Sequence, residues 1–210
     1  MNATLTERLK VLRARIDYQG IFLATVCLVM TLSLLVSDEK TRAPISDRLM
    51  EDRLTSLNQV LPSKLYDNNP LNSPLPIDDT SLGKMEVYPA RLSGMLTAVA
   101  FQMKAIGYGG EIKLMMAVNS QGEILGVRVL SHKETPGLAD KIESTRSDWI
   151  QGFDGKSLEN TEKKAWAVKK DGGDIDQFTG ATITPRAMVK AIYQGLDFYK
   201  RHKNAIVNSQ

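Results

Sequence analysis

Hydrophobic and polar positions separate one long apolar run from later stretches with alternating and helical patterns. Residues 18–37 contain no charged side chain, and about twenty apolar residues are enough to cross a hydrocarbon core of ~30 Å as a helix. The run is apolar on every helical face, which suits lipid better than a half-exposed core position. A cleavable signal peptide is the alternative, but the long preceding segment and the lack of a small-x-small cleavage pattern argue against it. We therefore predict a transmembrane helix over residues 18–37.

The charges that flank this run predict its orientation. Residues 1–17 carry Arg8, Lys10, Arg13 and Arg15 against two acidic side chains, whereas the flank that begins at residue 38 has mixed charge. Short segments rich in Lys and Arg stay in the cytoplasm. Residues 1–17 are therefore expected to be a cytoplasmic N-terminus, with the rest of the chain across the membrane.

Residues 38–83 are predicted to form a juxtamembrane helix and a linker. Apolar positions recur at roughly helical spacing over residues 45–61; they are Leu49, Leu54, Leu57 and Leu61. Four prolines and several Asn and Asp residues follow in residues 62–83 and disfavour any regular element there. This second part is expected to be an irregular connection.

Residues 84–203 show the patterns of a folded domain, and residues 204–210 are expected to form a C-terminal tail. One strand is predicted over Met95–Met103. Alternating apolar residues then predict a hairpin, with a turn at Asn119–Gly122 and an irregularity near Gly126. The alternating positions are Ile112, Leu114, Met116, Val118, Ile124, Val127 and Val129.

Helical and short extended patterns complete the domain. One helix is predicted from the spacing of Leu138, Ile142, Thr145 and Trp149, and a short strand over residues 165–168. A second, strongly amphipathic helix carries one apolar face, made by Met188, Ile192, Leu196 and Tyr199. Because strands and helices do not alternate strictly, we predict an α+β fold, with a twisted, mostly antiparallel sheet packed against helices.

Composition and charge exclude several classes of function. The net charge of +3 is small and the basic residues are scattered, which argues against a nucleic-acid partner. Cys27 is the single cysteine, so the chain cannot form an internal disulfide or ligate an iron–sulfur cluster alone. The glycines of residues 107–110 precede a predicted strand and do not open a helix, which predicts a turn and not a dinucleotide loop. Because the chain alone cannot hold an iron–sulfur cluster, any redox chemistry would use an organic cofactor.

The segment Phe178–Met188, FTGATITPRAM, combines hydroxyls, a flexible glycine and a helix start. Thr184 before Pro185 fits an N-cap followed by proline at the first helical position. Gly180 allows a sharp bend, Ala181 keeps the surroundings small, and free amides at a helix N-terminus favour a phosphate. These properties favour a plain turn into a helix over a phosphate site, and both interpretations stay open.

The run Asp176-Gln-Phe-Thr179-Gly180-Ala181-Thr182 resembles the flavinylation motif Asp-x-x-Ser/Thr-Gly-Ala-Thr of the bacterial FMN-binding domain family. The resemblance implies that a flavin transferase joins FMN through its phosphate to the hydroxyl of Thr182, the last threonine of the motif. Residues 107–200 are similar to the G subunits of the Rnf (Rsx) electron-transport complex. The C subunit of the sodium-pumping NADH:quinone reductase is related.

The same resemblance implies roles for two further stretches. Residues 131–138 form a strand-to-helix turn, and the family implies that Glu134, Thr135, Gly137 and Leu138 border the isoalloxazine ring. His132 is either a proton donor or a surface histidine whose hydrogen bonds are satisfied. The charged run that begins at Lys169-Lys170 is either a solvated loop or a source of charge for the FMN phosphate.

Three more side chains are interpreted against this background. Trp149 and Trp166 are candidates for packing against the flavin, with a core role as the alternative. Asp176 is expected to be recognised by the flavin transferase.

The resemblance implies a single-pass subunit of the bacterial inner membrane with a periplasmic domain that carries covalent FMN. Such a subunit relays electrons in a complex that couples electron flow between ferredoxin and NAD to ion movement. Its expected partners are other membrane subunits, including a second covalent-flavin subunit and iron–sulfur subunits, and it is expected to have no independent catalytic activity. Two alternatives are a membrane-tethered sensor or binding module without covalent flavin and a freestanding flavin reductase.

Overall fold

Helix α1 spans Ile16–Val60 and opens the described part of the chain. The structure is a computed structural model that describes residues 16–208, with side chains described for 18–41 and 54–208. The basic side chains predicted to orient the anchor lie outside these residues. Tyr18–Thr41 is long and apolar enough to cross a membrane, which makes it a candidate span around the predicted anchor. The helix predicted over residues 45–61 is the last part of α1.

Residues 53–210 form a unit separate from residues 1–52, and a five-stranded sheet organises it. The strands run antiparallel in the spatial order β1-β2-β3-β4-β5. Their bounds are Leu75–Asp79 for β1, Gly83–Leu92 for β2, Met95–Ile106 for β3, Glu111–Asn119 for β4 and Ile124–Ser131 for β5. The register between β4 and β5 shifts beside Gly126, where the sequence predicts an irregularity. The predicted α+β fold is confirmed.

Helix α2, Ile183–Asn208, packs across one face of the sheet. Gly195 faces β3 and β4 so closely that an added Cβ would lie 2.3 Å from Met116 Sδ. Phe101 and Phe198 meet edge to face there, with ring centroids 5.3 Å apart. Because side chains of a strand alternate between faces, Val99, Phe101 and Met103 all point into this core.

The opposite face of the sheet is covered by the last turn of α1. Leu57, Val60 and Leu61 are buried there against small side chains of the sheet; these are Ala90, Ala98, Ala100 and Ala117. At Gly126 an added Cβ would lie 3.1 Å from the Cα of Val60. Small residues on this face therefore let the helix backbone approach the strands.

Three predictions about the elements are wrong. The linker contributes strand β1, because proline is tolerated in an edge strand and Pro76 lies there, opposite Glu86. The single helix predicted from Leu138 to Trp149 is two short 3₁₀ segments, Asp140–Ile142 and Asp148–Phe153. Polar side chains interrupt it: Ser147 Oγ accepts from the amide of Trp149.

The third wrong prediction concerns residues 165–168. Lys163–Ala165 is a 3₁₀ turn, and only Val168 pairs with another strand-like residue, Ile175. Trp166, which lies between this turn and Val168 in sequence, is in the core under helix α2. The apolar residues of this stretch therefore reflect burial and not sheet pairing.

Candidate functional site

A cleft of about 370 Å³ lies where helix α2 begins. Its walls come from the start of α2 with the turn before it, the segment after β5, and the turn between β3 and β4. The lining residues are Tyr108, Glu134, Thr135, Leu138, Ala139, Gly180, Ala181, Thr182, Ile183 and Thr184. Seven of the eleven residues that the sequence proposes for the site are among them.

Glu134 connects two of these walls. Its side chain is 5 % exposed. Oε1 accepts a hydrogen bond of 2.9 Å from the amide of Gly109, and Oε2 accepts one of 2.5 Å from the Thr184 hydroxyl. The carboxylate therefore ties the β3–β4 turn to the first turn of α2.

The glycines of the β3–β4 turn make this approach possible. An added Cβ at Gly107 would lie 2.2 Å from Glu134 Oε1, and one at Gly109 would lie 2.0 Å from the carbonyl oxygen of Lys133. Either distance is shorter than van der Waals contact, so a side chain at either glycine would force the segment around Lys133 and Glu134 to move. The prediction of a turn here is confirmed, and the structure adds that it packs against Lys133 and Glu134.

His132 supports the same segment from behind. Its Nδ1 accepts from the amide of Glu134 at 3.0 Å, so the ring proton lies on Nε2, which donates to Glu143 Oε1 at 2.6 Å. This hydrogen bond outweighs partial burial and lowers the pKa of Glu143. Of the two interpretations from the sequence, a histidine with satisfied hydrogen bonds fits, because both ring nitrogens are engaged in holding the loop. The side chain is 12 % exposed, so it is largely buried and not on the open surface.

Thr182 lies between a tight turn and helix α2. The amide of Ala181 donates to the carbonyl of Phe178 at 3.1 Å, and Gly180 has a φ of +82°. A positive φ at this third position is typical of a type II turn, which favours glycine. Within the described part of the chain, the Thr182 hydroxyl has no hydrogen-bond partner. It stands beside the first amides of a 26-residue helix, which attract anions.

The predicted N-cap role of Thr184 is wrong. Helix α2 begins at Ile183, so Thr184 lies inside its first turn. The side chain is fully buried and donates to Glu134, fifty residues earlier in the chain. Thr182 takes the position before the helix, and its carbonyl accepts from the amide of Arg186 at 3.4 Å. A cap is a local interaction, whereas the partner of Thr184 comes from another loop.

Four proposed residues do not line the cleft. Gly137 shapes the loop after Glu134 with a φ of +77°. Thr179 is exposed in the turn, and Lys169 Nζ lies 2.7 Å from Asp176 Oδ1, both side chains being exposed. This ion pair lies on the surface beside the motif.

The tryptophans also lie outside the cleft. Trp149 donates from Nε1 to the carbonyl of Asp176 at 2.7 Å and packs edge to face on Phe178. It therefore fixes the segment that leads into the turn. Trp166 is buried against Phe153 and Tyr193. The core interpretation fits Trp166, and a supporting role fits Trp149.

Exposed apolar side chains line the cleft, and sequence reasoning proposed one of them, Leu138, and missed Tyr108 and Ile183. Tyr108, Leu138 and Ile183 are 74 %, 45 % and 50 % exposed and border one cavity, with Leu138 beside Gly180. Exposed apolar groups collected around a cavity indicate a ligand surface. The signal available in the sequence was an aromatic residue between the glycines of a tight turn.

The cleft combines features that suit a planar group carrying a phosphate. The lining includes an unpartnered hydroxyl beside the start of helix α2 and the exposed apolar side chains of Tyr108, Leu138 and Ile183. Among the described residues, no group of His, Cys, Asp or Glu is arranged to hold a metal ion. The hydroxyl, the amides and the apolar side chains of the lining suit an organic ligand.

Comparisons with known proteins agree with this character. Residues 107–197 match the FMN-binding domain family. The chain is 54 % identical over 198 residues to the G subunit of the ion-translocating oxidoreductase complex of Stutzerimonas stutzeri, covering 94 % of this chain and 87 % of that protein. It is 49 % identical over 184 residues to the protein of the same name from Cereibacter sphaeroides, covering 88 % and 84 %. A solved structure with similarity is NqrC of Shewanella oneidensis, at 22 % identity over 70 % of this chain and 74 % of that one, with a TM-score of 0.47.

Proposed function

The chain belongs to the family of G subunits of ion-translocating oxidoreductase complexes, and we propose that it relays electrons in such a complex through FMN. Bound FMN supplies a carrier that accepts and releases electrons. The protein's own residues hold the carrier, orient it and shield one side from water. In this proposal the chain has no independent activity, and other subunits supply the remaining redox centres, including iron–sulfur clusters and a second covalent flavin.

The proposed attachment is a phosphoester at Thr182 Oγ1. The observation that carries it is the position of this hydroxyl, which lines the cleft, lacks a partner among the described residues and adjoins the start of α2. The amides of Ile183 and Thr184 would bind the phosphate oxygens, since they precede the first intrahelical hydrogen bonds. Pro185 has no N–H, and the amide of Arg186 donates to the carbonyl of Thr182. Thr184 cannot take this role without giving up its bond to Glu134.

The exposed apolar side chains of the cleft are the proposed seat of the flavin ring. Tyr108, Leu138 and Ile183 line the cavity and offer exposed apolar surface to a planar ring. Glu134 and Thr135 would contribute from the segment after β5, with Gly137 shaping the loop. Glu134 would act mainly by fixing the distance between the cleft walls, because its oxygens already accept two hydrogen bonds.

The exposed residues of the motif suit recognition by a flavin transferase. Asp176 and Thr179 lie on the surface within the motif, and the exposed Lys169 pairs with Asp176. None of the three residues lines the cleft. An enzyme that delivers FMN must bind its acceptor from outside. We place these three residues in that contact, which makes them necessary for attachment and dispensable for electron relay afterwards.

The proposed location is the bacterial inner membrane. Tyr18–Thr41 would cross it once, with the N-terminus in the cytoplasm and residues 53–210 in the periplasm. Covalent attachment would prevent loss of the flavin from a domain exposed to that compartment.

Flavin fluorescence tests the attachment directly. The full chain is produced together with a flavin transferase, denatured and separated in a gel. The wild type and Thr182→Ser should give a fluorescent band, and peptide mass spectrometry should place the FMN phosphate on residue 182. Thr182→Ala should lose the band completely, because the acceptor oxygen is absent.

Thr161→Ala is the control, since this threonine bonds Asn160 away from the cleft and should stay fluorescent. A dark wild-type band, or full fluorescence in Thr182→Ala, would contradict the proposal. Purification in mild detergent distinguishes a relay from a freestanding reductase, because only a relay needs to bring other redox subunits with it.

A further inference from the structure

A second groove lies along helix α2 and shares no lining residue with the flavin cleft. It consists of two cavities of about 370 and 270 Å³ that share Trp166 and Tyr193. We call it the Trp166 groove and define it by their lining residues: Leu158, Thr161, Lys163, Trp166, Ala167, Val168, Asp171, Arg186, Val189, Lys190, Tyr193, Asp197, Lys200 and Arg201. The proposed electron relay assigns no role to it.

The helix side of the groove is a regular stripe. Arg186, Lys190, Tyr193, Asp197 and Lys200 follow one another at intervals of four and three, which places them on one helical face. At 1.5 Å per residue the stripe is about 21 Å long. The opposite wall comes from residues 158–168, with the aromatic rings of Trp166 and Tyr193 packed edge to face, centroids 6.0 Å apart, at its middle.

The charges of the groove are strongly unbalanced. Both of its acidic side chains are already neutralised within the protein: Asp171 by Arg186, with N–O distances of 2.5 and 2.6 Å, and Asp197 by Arg201 at 3.0 Å. Lys163, Lys190 and Lys200 form no ion pair with any residue that the structure describes. Three positive charges are therefore left for a partner.

The indole N–H of Trp166 is an unsatisfied hydrogen-bond donor. Its Nε1 is buried without an acceptor, the one such side-chain atom found among the described residues. Trp149, in contrast, donates to a backbone carbonyl. A buried polar group without a partner is unfavourable. Trp166 lines both cavities, so the residue with this unsatisfied donor forms part of the groove wall.

We propose that the Trp166 groove binds an extended, acidic segment of another subunit of the same complex. The length of the groove selects a peptide over a single anion: Lys190 and Lys200 are ten residues apart on the helix, about 15 Å, which exceeds the reach of one phosphate. An extended chain rises about 3.3 Å per residue, so roughly six residues would follow the stripe. Carboxylates at intervals along them would meet the three lysines, and an apolar or aromatic side chain would pack on Trp166 and Tyr193. This inference rests on the proposed function, because it takes its partner from the complex.

Photo-crosslinking in the assembled complex tests the identity of the occupant. Tyr193 is replaced by benzoylphenylalanine in the full chain, in cells that produce the whole complex. The expected adduct joins residue 193 to a segment of another subunit that carries several carboxylates. The same probe at Met95, which is exposed at the β2–β3 turn, is the control and should not give this adduct. A lipid adduct, a segment without carboxylates or no protein adduct at all would overturn the proposal.

Charge reversal tests the lysines. Lys163→Glu/Lys200→Glu should reduce the amount of the other subunits that co-purify by about tenfold, through loss of attraction and added repulsion. Lys64→Glu/Lys84→Glu changes the same charge at exposed lysines elsewhere and should leave co-purification unchanged. Co-purification at the wild-type level in the first variant would overturn the groove as a docking site.

Flavin fluorescence, measured on the same samples, separates this proposal from the function on which it rests. The double variant should keep its fluorescent band, which also shows that the domain has folded. A fluorescent variant that co-purifies normally refutes the groove alone, whereas a dark wild type refutes the flavin proposal.

Discussion

A single carboxylate joins two walls of the flavin cleft, although the residues that it connects are distant in sequence. Glu134 accepts from Gly109, which is exposed, and from Thr184, which is fully buried. Water can replace the carboxylate at the first donor and not at the second. The cost of losing Glu134 should therefore come mainly from the stranded hydroxyl of Thr184.

A graded response is expected at position 134. Glu134→Ala should lower the free energy of unfolding by about 1–3 kcal/mol, because the buried hydroxyl loses its acceptor. Glu134→Gln should cost about 0.5–1.5 kcal/mol, since Thr184 can turn its hydroxyl to accept from the amide. Denaturant unfolding of the detergent-solubilised full chain measures both. Glu159→Ala, at an exposed position, is the control and should have almost no effect; equal costs for Ala and Gln at 134 would contradict the hydrogen-bond account.

At the residue scale, the sequence reveals the chemistry of the site better than its geometry. Thr182 and Glu134 were identifiable as site residues from motifs, and both line the cleft. The partner of Thr184 could not be identified, because a cap uses local neighbours and this hydroxyl bonds a residue fifty positions away. Tyr108 was missed for a similar reason, since its place in the cleft depends on how closely two glycines let separate loops approach.

At the scale of elements, the contact between helix α2 and the sheet depends on the absence of one side chain. Gly195→Ala would place a methyl group 2.3 Å from Met116 Sδ and 3.2 Å from Phe101. Overpacking of this kind costs about 1–3 kcal/mol, which outweighs the gain of ~1 kcal/mol in helix propensity. Thermal unfolding should show the loss. Gly152→Ala is the matched control, because an added Cβ there meets nothing within 4 Å; equal melting temperatures for the two variants would refute the packing argument.

The far end of α2 is fastened to edge strand β1 by a buried carboxylate. Asp79 accepts from Arg201, from His202 at 2.8 Å, and from the amides of Ser81 and Leu82. Burial alone would raise the pKa of Asp79, but these hydrogen bonds outweigh it and lower the pKa well below its usual range. The stabilisation is therefore complete above the unfolded-state pKa of about 3.9 and is lost as the pH falls below it.

Asp79→Asn tests this fastening. At pH 6 the variant should be less stable than the wild type by about 1–3 kcal/mol. The difference should shrink progressively below about pH 4, because only the wild type loses an ionised Asp79 contribution. Asp174→Asn, at an exposed aspartate, is the control and should be nearly neutral at every pH. A difference that is independent of pH would contradict an electrostatic origin.

The helices and strands differ in how clearly their own sequence patterns predict them. The alternation of β4 and β5 and the apolar stripe of α2 are strong periodic signals, and both predictions are confirmed. Strand β1 has no periodic signal, because Pro76 and the polar residues around it do not favour a strand. Its extended conformation depends on pairing with β2. The apolar positions from 138 to 149 have helical spacing, yet side-chain hydrogen bonds from residues such as Ser147 stabilise shorter turns instead.

At the scale of the whole molecule, the proposed function requires the flavin domain and the N-terminus on opposite sides of the membrane. The positive charges of residues 1–17 and the apolar span Tyr18–Thr41 support this orientation. A reporter after Gln210 tests it: alkaline phosphatase, which folds only in the periplasm, should be active, and green fluorescent protein should stay dark.

A variant that lacks residues 1–41 is the control for those reporters. Without the span and its flanking charges the domain should remain in the cytoplasm, so the fluorescent fusion should become bright and the phosphatase inactive. Replacing Arg8, Lys10, Arg13 and Arg15 by Gln should give an intermediate result, because these charges bias orientation and do not create the span. A bright fusion of the unchanged chain would place the domain in the cytoplasm and would contradict a periplasmic electron relay.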